Sequence, residues 1–396
     1  AGVNHNGSLK IALKMVDEAK KAGADAIKFQ TFKTNNLILP NAPKSKYHIE
    51  TTGNDKKQTW FDLLKTQELS YQMHKKIIEY CKRRKIIFLS TPYDEESVDM
   101  LEKFKIRAEK SGISKVTIDE TLNQVKIIPR VIELDRKQPE FTLTLSQYLK
   151  NVVSNKRKKK GISKIRENWT LLEDISKEYN VQPRFIVALW GIETDFGRIS
   201  GGFPVIDSLV TLAYDGRRGE YFSKELINAL KIIDQGHISY DEMVGSWAGA
   251  MGQTQFMPSS FLSYAQDYNN DGRKDIWKSK EDALASAANY LSKLKWDNNE
   301  TWGREVKVNN DFNISNDELT LRNKKKISEW QILGVRRIDG RDLPKKNVGG
   351  YLIKINDNNK ERYFLVYKNF KKILKWNTSN YFAIAVGILS DSINID

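Results

Sequence analysis

The chain has 396 residues, 40% of them hydrophobic, a single cysteine and a formal net charge of +15 at pH 7. This length allows about two or three domains, and no apolar run approaches the roughly 18 residues of a membrane-spanning helix. The lone Cys81 excludes an internal disulfide and a cysteine-based metal site. The positive charge favours an acidic partner such as nucleic acid, anionic lipid or an acidic cell wall, but a genome rich in Lys and Asn codons would produce the same excess.

The first hundred residues alternate between helical and strand patterns. Apolar positions predict a helix after Ser8, a strand over 26–31, a helix over 72–85 and a second strand over 86–91. This alternation predicts parallel strands joined by crossover helices.

Three short motifs in this segment carry a family resemblance: Gly2-Val-Asn-His-Asn-Gly7, Lys28-Phe-Gln-Thr31 and Ser90-Thr-Pro-Tyr93. Over residues 1–106 the segment resembles the N-terminal part of the sialic acid synthase family, whose catalytic domain is a (β/α)8 barrel. Only about three of the eight βα units are present, and a barrel closes only with its full set of strands. We therefore expect a truncated fragment without synthase activity. A gene fusion, a rearrangement or an assembly error would each produce the seam near residues 104–108.

The rest of the chain is predicted to be mainly helical. Helical patterns cover 146–179 and, with Gly-rich interruptions, 183–294. Short strands are predicted over 351–355 and 363–367, and a closing helix over 380–393.

Five motifs of this part stand in a fixed order: Glu193-Thr-Asp-Phe-Gly-Arg198, Gly202-Phe-Pro-Val205, Thr211-Leu-Ala-Tyr-Asp-Gly-Arg-Arg218, Gly245 to Ser260, and Asp271-Gly-Arg-Lys-Asp-Ile-Trp277. Together they resemble the lytic murein transglycosylase B family, from about residue 107 to the C-terminus. The resemblance implies a multidomain, mainly α protein with a lysozyme-like core and a small β-rich subdomain, here preceded by the partial (β/α) barrel. The expected domains are 1–106, a helical domain 107–180, a catalytic core 181–296, a β-rich subdomain 297–375, and a C-terminal helix 376–396 that returns to the helical domain.

Glu193 is the candidate catalytic residue. It ends an apolar stretch and precedes a loop rich in Gly, Ser and Gln, an arrangement that sugar-cleaving enzymes use. Asp195 is a poor second carboxylate, because side chains two residues apart on a helix point about 200° apart. The resemblance implies that one Glu protonates the bond between N-acetylmuramic acid and N-acetylglucosamine and then acts as base. The sugar's own 6-hydroxyl then attacks, and the product is a 1,6-anhydro ring.

Four further residues are candidates for substrate binding. The resemblance places Ser246 and Gln255 near the acid, where a hydroxyl and an amide suit N-acetyl and hydroxyl groups; a purely structural role in the loop is the alternative. Tyr290 and Tyr381 could stack on sugar rings, and packing in the core is the alternative for both.

The segment 267–278 resembles an EF-hand calcium loop. Lys278 stands where a bidentate acid is expected, so we predict at most a weak Ca²⁺ site and no required cofactor. A turn held by its own hydrogen bonds is the alternative. The candidate ligands are Asp267, Asn269, Asp271, Arg273 and Asp275.

The expected partner is the glycan strand of peptidoglycan, bound by a monomer without a transmembrane segment. A nucleic-acid partner is not expected, because the basic run 155–160 has no interleaved aromatic residue and resembles a solvated helix face. Two alternatives are a non-catalytic peptidoglycan-binding protein, which Glu193 argues against, and a sialic acid synthase-like enzyme formed by the N-terminal segment, which would need the missing barrel units. The resemblance implies the periplasm, with or without association with the outer membrane. Because the chain lacks an initiator Met and a signal segment, we expect that it starts inside a longer protein or has been processed.

Overall fold

The computed structural model describes residues 1–32, 34, 44, 59–92, 104–137 and 143–395. Two units, Ala1–Phe104 and Lys105–Asp396, each hold their own contacts. The division lies within the segment 104–108, in which the sequence places the seam. The finer domain limits given above stay predictions. The Tyr93 end of the third synthase-like motif lies outside the described residues.

The N-terminal unit contains α1 (Leu9–Lys21), β1 (Ala26–Thr31), α2 (Trp60–Gln67), α3 (Tyr71–Arg84) and β2 (Ile87–Pro92). The two strands pair in parallel, with Ala26 opposite Ile87, which confirms the predicted βα pattern. Ser8 and Ser70 start α1 and α3 by accepting a backbone N–H in the first turn, as N-cap residues do.

One face of this two-stranded sheet is covered and the other is open. Ile27 and Phe29 are buried with apolar residues of α1 and α3. On the opposite face, Ile87 and Leu89 are 60% and 46% exposed. In a closed (β/α) barrel that face would line the interior. The described residues therefore form a covered pair of parallel strands, and their interpretation as part of a barrel rests on the sequence resemblance.

The second unit is mainly helical. Its helices are α4 (Lys115–Leu122), α5 (Pro129–Lys137), α6 (Leu145–Val152), α7 (Asn155–Glu167), α8 (Trp169–Tyr179), α9 (Pro183–Thr194), α10 (Val205–Asp215), α11 (Gly219–Asp234), α12 (Pro258–Tyr264), α13 (Lys280–Lys293), α14 (Ile327–Ile332), α15 (Lys368–Trp376) and α16 (Asn380–Ser392). Two short strands, β3 (Phe203–Pro204) and β4 (Val244–Gly245), pair antiparallel between α9 and α12.

Helix α9 lies at the centre of this unit. It starts at Pro183, whose ring suits the first helical position, and its residues from Phe185 to Gly191 are buried. A helix that is apolar on all sides belongs in a core. Helices α7, α8, α13 and α16 pack around it. The closing helix α16 reaches α9 closely, because a side chain at Gly191 would stand 3.5 Å from Leu389. Helix α16 also contacts α6 and α15.

A five-stranded antiparallel sheet stands between α13 and α15, in the order β6-β8-β9-β5-β7. Its strands are β5 (Gly303–Val308), β6 (Lys324–Lys326), β7 (Val335–Arg337), β8 (Gly349–Asp357) and β9 (Lys360–Val366). The hairpin β8–β9 confirms the two predicted strands, and Asn358 and Asn359 make its turn with positive φ angles. Strands β5, β6 and β7 escaped the sequence analysis because their residues are mostly charged or few in number.

Candidate active site

Glu193 is the last residue but one of α9, and its side chain is half-buried. Its Oε1 accepts a hydrogen bond of 2.7 Å from the indole Nε1 of Trp376, the last residue of α15. An N–H donor bound to a carboxylate fixes its orientation and stabilises its ionised form. The carboxyl group is thus held at the end of a buried helix by a side chain from a distant segment.

The chain turns sharply after Glu193. Asp195, Phe196 and Gly197 follow with φ angles of 51°, 62° and 76°, and all three lie in the left-handed region. Such conformations are costly for residues other than glycine and cluster at functional sites. At Gly197 a side chain is excluded, because a Cβ would stand 2.4 Å from Oε1 of Gln253.

Asp195 is committed to ion pairs at this helix end. Its Oδ2 accepts hydrogen bonds from Arg198 at 2.6 Å and from Lys160 at 3.2 Å. Burial opposes ionisation of Asp195, but these two hydrogen bonds outweigh it and hold the pKa of the carboxyl below its usual range. Asp195 therefore caps the helix as a permanent anion, in keeping with the expectation that it is a poor second carboxylate.

Gln253 ties the Gly-rich loop to the helix that carries Glu193. Its Oε1 accepts from Trp190 Nε1 at 3.0 Å, and its backbone oxygen accepts from Thr194 Oγ1 at 2.9 Å. These two partners flank Glu193 in sequence. The sequence analysis missed Gln253, although it stands in the same Gly-Gln-Thr-Gln run as Gln255.

Ser246 and Gln255 both lie in this loop and both bond to its backbone. Ser246 Oγ accepts from the N–H of Ala250 at 3.0 Å. The amide Nε2 of Gln255 donates to the carbonyl oxygens of Ser200 at 3.0 Å and Gly252 at 2.9 Å. These contacts establish a structural role in the loop, and direct contact of the two side chains with substrate stays a prediction.

Tyr290 packs against the residue that holds the acid. It is 8% exposed, and its hydroxyl donates to the carbonyl oxygen of Lys375 at 2.7 Å. Its ring centroid is 4.8 Å from that of Trp376 and 4.5 Å from that of Tyr264. The ring centroid of Phe256 lies 5.1 Å from that of Trp376 and 5.7 Å from that of Tyr290, so the three rings form one cluster. This burial favours core packing over sugar stacking for Tyr290. In this role Tyr290 positions Trp376 and the carbonyl group of Lys375.

Tyr381 lies in the first turn of α16, five residues after Trp376, and is half-buried. Its ring faces that of Tyr148 in α6, with centroids 5.9 Å apart. Stacking of Tyr381 on a sugar ring stays a prediction. The sequence analysis named Tyr381 and missed Trp376, although a tryptophan at the end of a Lys-rich amphipathic segment was a usable signal.

In the EF-hand-like loop, carboxylates accept backbone N–H groups. Asp267 accepts from Asp271 at 3.1 Å and from Gly272 at 2.9 Å, and Asp275 accepts from Lys278 at 2.8 Å. Within the described ranges, no three His, Cys, Asp or Glu side chains are grouped so that they could hold a metal ion. Asn269 bonds to Asp271 through its amide, and Arg273 donates its backbone N–H to the same carboxylate.

Two residues outside the candidate ligand set hold this loop. The buried Asp282 accepts the N–H groups of Tyr268 at 2.8 Å and Asp275 at 2.7 Å. Lys278 forms an ion pair of 2.5 Å with Glu242, so the position of the expected bidentate acid is occupied by a paired cation. The donor set thus fits a turn held by its own hydrogen bonds better than a tight calcium site.

Among the parts of the chain that the structure describes, no helix combines the length and apolarity needed to cross a bilayer.

A family model for the transglycosylase SLT domain matches residues 96–391. The chain belongs to the transglycosylase SLT domain family. It is 27% identical over 320 residues to the membrane-bound lytic murein transglycosylase B of Escherichia coli K12, which covers 77% of this chain and 84% of that protein. The predicted resemblance and the predicted enzyme class, lytic transglycosylase, are thereby confirmed.

Solved structures give the same result. SltB3 of Pseudomonas aeruginosa, in complex with NAG-NAM-pentapeptide, superposes with a TM-score of 0.72 at 38% identity, over 76% of this chain and 80% of that one. The lytic transglycosylase Slt35 of Escherichia coli, in complex with calcium, superposes with a TM-score of 0.64 at 27% identity, over 75% of this chain and 92% of that one.

The N-terminal resemblance is confirmed as well. A NeuB family model matches residues 15–132. The N,N'-diacetyllegionaminic acid synthase of Campylobacter jejuni is 42% identical over 117 residues, which is 30% of this chain and 34% of that protein. The two family matches overlap over 96–132. In the structure, residues 105–132 of this overlap belong to the second unit, in which Lys126 donates its N–H to Asp207 at 2.6 Å.

Proposed function

We propose that this transglycosylase cleaves the β-1,4 bond between N-acetylmuramic acid and N-acetylglucosamine in peptidoglycan, with Glu193 as acid and then as base, and leaves a 1,6-anhydro-N-acetylmuramic acid end. The observation that carries the proposal is the pair Glu193–Trp376, beside an Asp195 that is fully engaged with cations. We therefore assign the reaction to the Glu193 carboxyl group and not to Asp195, the neighbouring carboxylate in sequence.

The Trp376 hydrogen bond defines the roles of the two carboxyl oxygens. Because Oε1 accepts the indole N–H, the proton of the neutral acid belongs on Oε2. Glu193 gives this proton to the leaving oxygen as the bond to C1 breaks. The resulting carboxylate, stabilised by the same indole N–H, takes the proton of the 6-hydroxyl while O6 bonds to C1. No water is consumed, and the proton taken from the 6-hydroxyl returns Glu193 to its neutral, acid form.

Intramolecular attack explains why one carboxyl group suffices. Hydrolases that act on glycosides use a second carboxylate as nucleophile or base. A hydroxyl on the same sugar ring has an effective molarity high enough to replace it. A solved relative in complex with NAG-anhNAM-pentapeptide, 38% identical and with a TM-score of 0.70, supports an anhydro product for this chain.

We extend the proposal to the loop and to the setting of the enzyme. Ser246 and Gln255 present a hydroxyl and an amide at the loop that Gln253 ties to α9, and they would hold N-acetyl or hydroxyl groups of the glycan. Because the substrate is peptidoglycan, we place the enzyme in the periplasm, free or associated with the outer membrane. We expect it to act as a monomer. Ca²⁺ would be a weak structural ligand and no part of the reaction.

Mass spectrometry of digested sacculi tests the proposal. Purified peptidoglycan is incubated with the protein in H₂¹⁸O, and the muropeptides are weighed. We expect ends that are lighter than reducing ends by one water and that carry no label. Labelled reducing ends would show hydrolysis and overturn the proposed mechanism. Binding of sacculi without any cleavage would instead support the non-catalytic alternative.

A further inference from the structure

A cavity of about 450 Å³ opens at the N-terminal end of α9, far from Glu193 at the other end of the same helix. Ten residues separate Pro183 from Glu193, which corresponds to about 15 Å along a helix. The residues that line the cavity come from α7, α8, the start of α9, the segment 298–301, Lys346 before β8, and the C-terminal segment after α16. Nothing in the proposed reaction uses this cavity.

Its walls combine one exposed aromatic ring with neutral polar groups. Trp169, the first residue of α8, is 44% exposed at the cavity wall. Asn298, Asn299 and Thr301 also line the cavity. An accessible indole beside amides and hydroxyls is the chemistry that recognises a sugar ring, because the ring's C–H face stacks on the aromatic surface while its hydroxyl and acetamido groups exchange neutral hydrogen bonds.

The polar wall is built in advance. Gln182 donates from Nε2 to the carbonyl oxygen of Asn298 at 2.5 Å and accepts from Trp296 Nε1 at 2.6 Å. Asn369 donates to the carbonyl oxygens of Asp297 and Glu300, each at 2.8 Å. The backbone of 297–300 is therefore fixed from two sides, and a preformed wall loses little entropy when a ligand binds.

One group in this wall lacks a partner. Oδ1 of Asn298 is buried and makes no hydrogen bond to any residue that the structure describes. Buried amide oxygens are nearly always paired, so this rotamer is not the side chain's best state. A turn of the Asn298 amide towards the cavity would offer its oxygen to the N–H of an acetamido group.

The charged side chains of the cavity lining do not form a patch of one sign. Arg184 is paired with Asp391 at 2.8 Å, and burial raises the pKa of Glu300, whose carboxylate accepts the N–H of Lys368. Lys346 is the remaining cation of the lining. A neutral N-acetylated sugar fits this balance better than a phosphate or an acidic peptide.

We propose that this cavity is a second glycan site, which holds N-acetylhexosamine residues of a β-1,4-linked strand away from the point of cleavage, with Trp169 as its stacking platform. The inference rests on the proposed function only for the identity of the polymer. Such a site would keep the enzyme on the wall between cleavage events.

Calorimetry with chitotetraose tests the second site in the Glu193→Gln variant, which prevents turnover. We expect two binding sites per chain. Trp169→Ala added to this background should weaken the second site about tenfold and leave the first unchanged. Tyr221→Ala is the matched control, because Tyr221 is an exposed aromatic residue (45%) on α11 outside the cavity; it should change neither site.

The outcomes separate this proposal from the proposed reaction. A single binding site that Trp169→Ala does not affect overturns the second site, whether or not the wild-type chain cleaves peptidoglycan. If Trp169→Ala melts early, Asn299→Ala, an exposed residue of the same wall, decides by the same measurement. If the wild-type chain does not cleave peptidoglycan but the Glu193→Gln variant shows two binding sites, the proposed reaction is overturned and the second glycan site is supported.

Discussion

The indole Nε1 of Trp376 and the carboxyl Oε1 of Glu193 are 2.7 Å apart, although 183 residues separate them in sequence. Tyr290 and Phe256 pack on the indole, and Tyr290 also bonds to the carbonyl of Lys375 just before it. The donor that orients the acid is therefore itself fixed by an aromatic cluster and by the bond to the preceding carbonyl. This relationship gives the first two predictions.

Glu193→Gln should abolish cleavage and leave the fold and glycan binding intact. The amide keeps the shape of the side chain but has no proton to donate, so the loss should be on the order of a thousandfold or more. Clearing of a sacculus suspension and thermal melting measure the two properties. Asp195→Asn is the control: it should lose ion pairs and stability but keep most activity. Retention of a tenth of the activity in Glu193→Gln would remove Glu193 from the mechanism.

Trp376→Phe should keep an aromatic ring against Tyr290 and Phe256 and remove the N–H donor, together with the part of the indole that a phenyl ring does not fill. We expect kcat to fall about tenfold with little change in KM, because a positioned donor acts after binding. Trp330→Phe is the matched control, because that indole donates to Gly350 inside the sheet at 3.0 Å. An equal loss of activity in both variants would mean that Trp376 acts only through stability.

Asp357 should make the free energy of unfolding depend on pH in the acidic range. Burial works to raise its pKa, but Ser146 and Arg362 bond to its carboxylate and lower the pKa to about 2. Since the unfolded pKa is about 3.9, the stabilisation is present above pH 4 and is lost as the pH falls towards 2. Asp357→Asn should lower the free energy of unfolding at pH 7 by about 2 kcal/mol and flatten its change below pH 4.

Asp339 is the matched control for Asp357. Hydrogen bonds from Arg341 also lower the pKa of Asp339 to about 2, but this pair lies on the surface in water. Solvent and salt screen such pairs, so Asp339→Asn should change urea unfolding little at any pH. Equal effects of the two substitutions would show that Asp357 does not anchor β8 to α6.

Ca²⁺ should raise the melting temperature only slightly, and only at about millimolar levels, which is the range of weak EF-type sites. Lys278 is the reason, because it stands in the bidentate position and pairs with Glu242. Lys278→Glu should tighten binding and destabilise the calcium-free protein by like-charge repulsion with Glu242. Lys278→Gln and Mg²⁺ serve as controls. Micromolar binding by the unaltered chain in calorimetry would show that the loop is a proper site.

Removal of residues 1–104 should leave cleavage of peptidoglycan essentially unchanged. Every residue that we assign to the reaction lies in Lys105–Asp396, which holds its own contacts. Solubility should rise, because the exposed Ile87 and Leu89 are removed with an open sheet face. Activity and melting of 105–396 are compared with those of the full chain. Failure of the shorter chain to fold would show that the N-terminal unit has become part of the structure.

The elements with strong apolar periodicity could be predicted from the sequence. The closing helix α16 and the hairpin β8–β9 stand within a few residues of their predicted limits, and the buried helix α9 begins where the predicted helical pattern of 183–294 begins. Burial fixes such elements through the spacing of their apolar residues. Strand β6 is a run of three lysines at a sheet edge. It is a strand because it pairs with β8, and no local sequence pattern predicts this pairing.

Residues of the candidate site could be predicted from the sequence only where a single contiguous motif contained them. Glu193 and the loop around Ser246 and Gln255 stand in contiguous motifs. Trp376 contacts Glu193 only because the chain, after forming the whole sheet, comes back to the end of α9. No pattern of residue spacing in the sequence predicts this contact. The opposite problem arose for Tyr290, since a tyrosine on a helix fits a sugar platform and a core equally well until its burial is known.

The segments that supply the acid and its donor lie on opposite sides of the sheet insertion, and this has a consequence for synthesis of the protein. A nascent chain that has reached residue 300 already contains Glu193, but α15 has not yet been made. Its carboxyl group acquires the Trp376 partner only after the sheet has folded and the last two helices have docked. Long-range contacts of this kind form late. Full activity is thus withheld until the chain has been made beyond residue 376, and premature termination before that residue yields fragments without the donor.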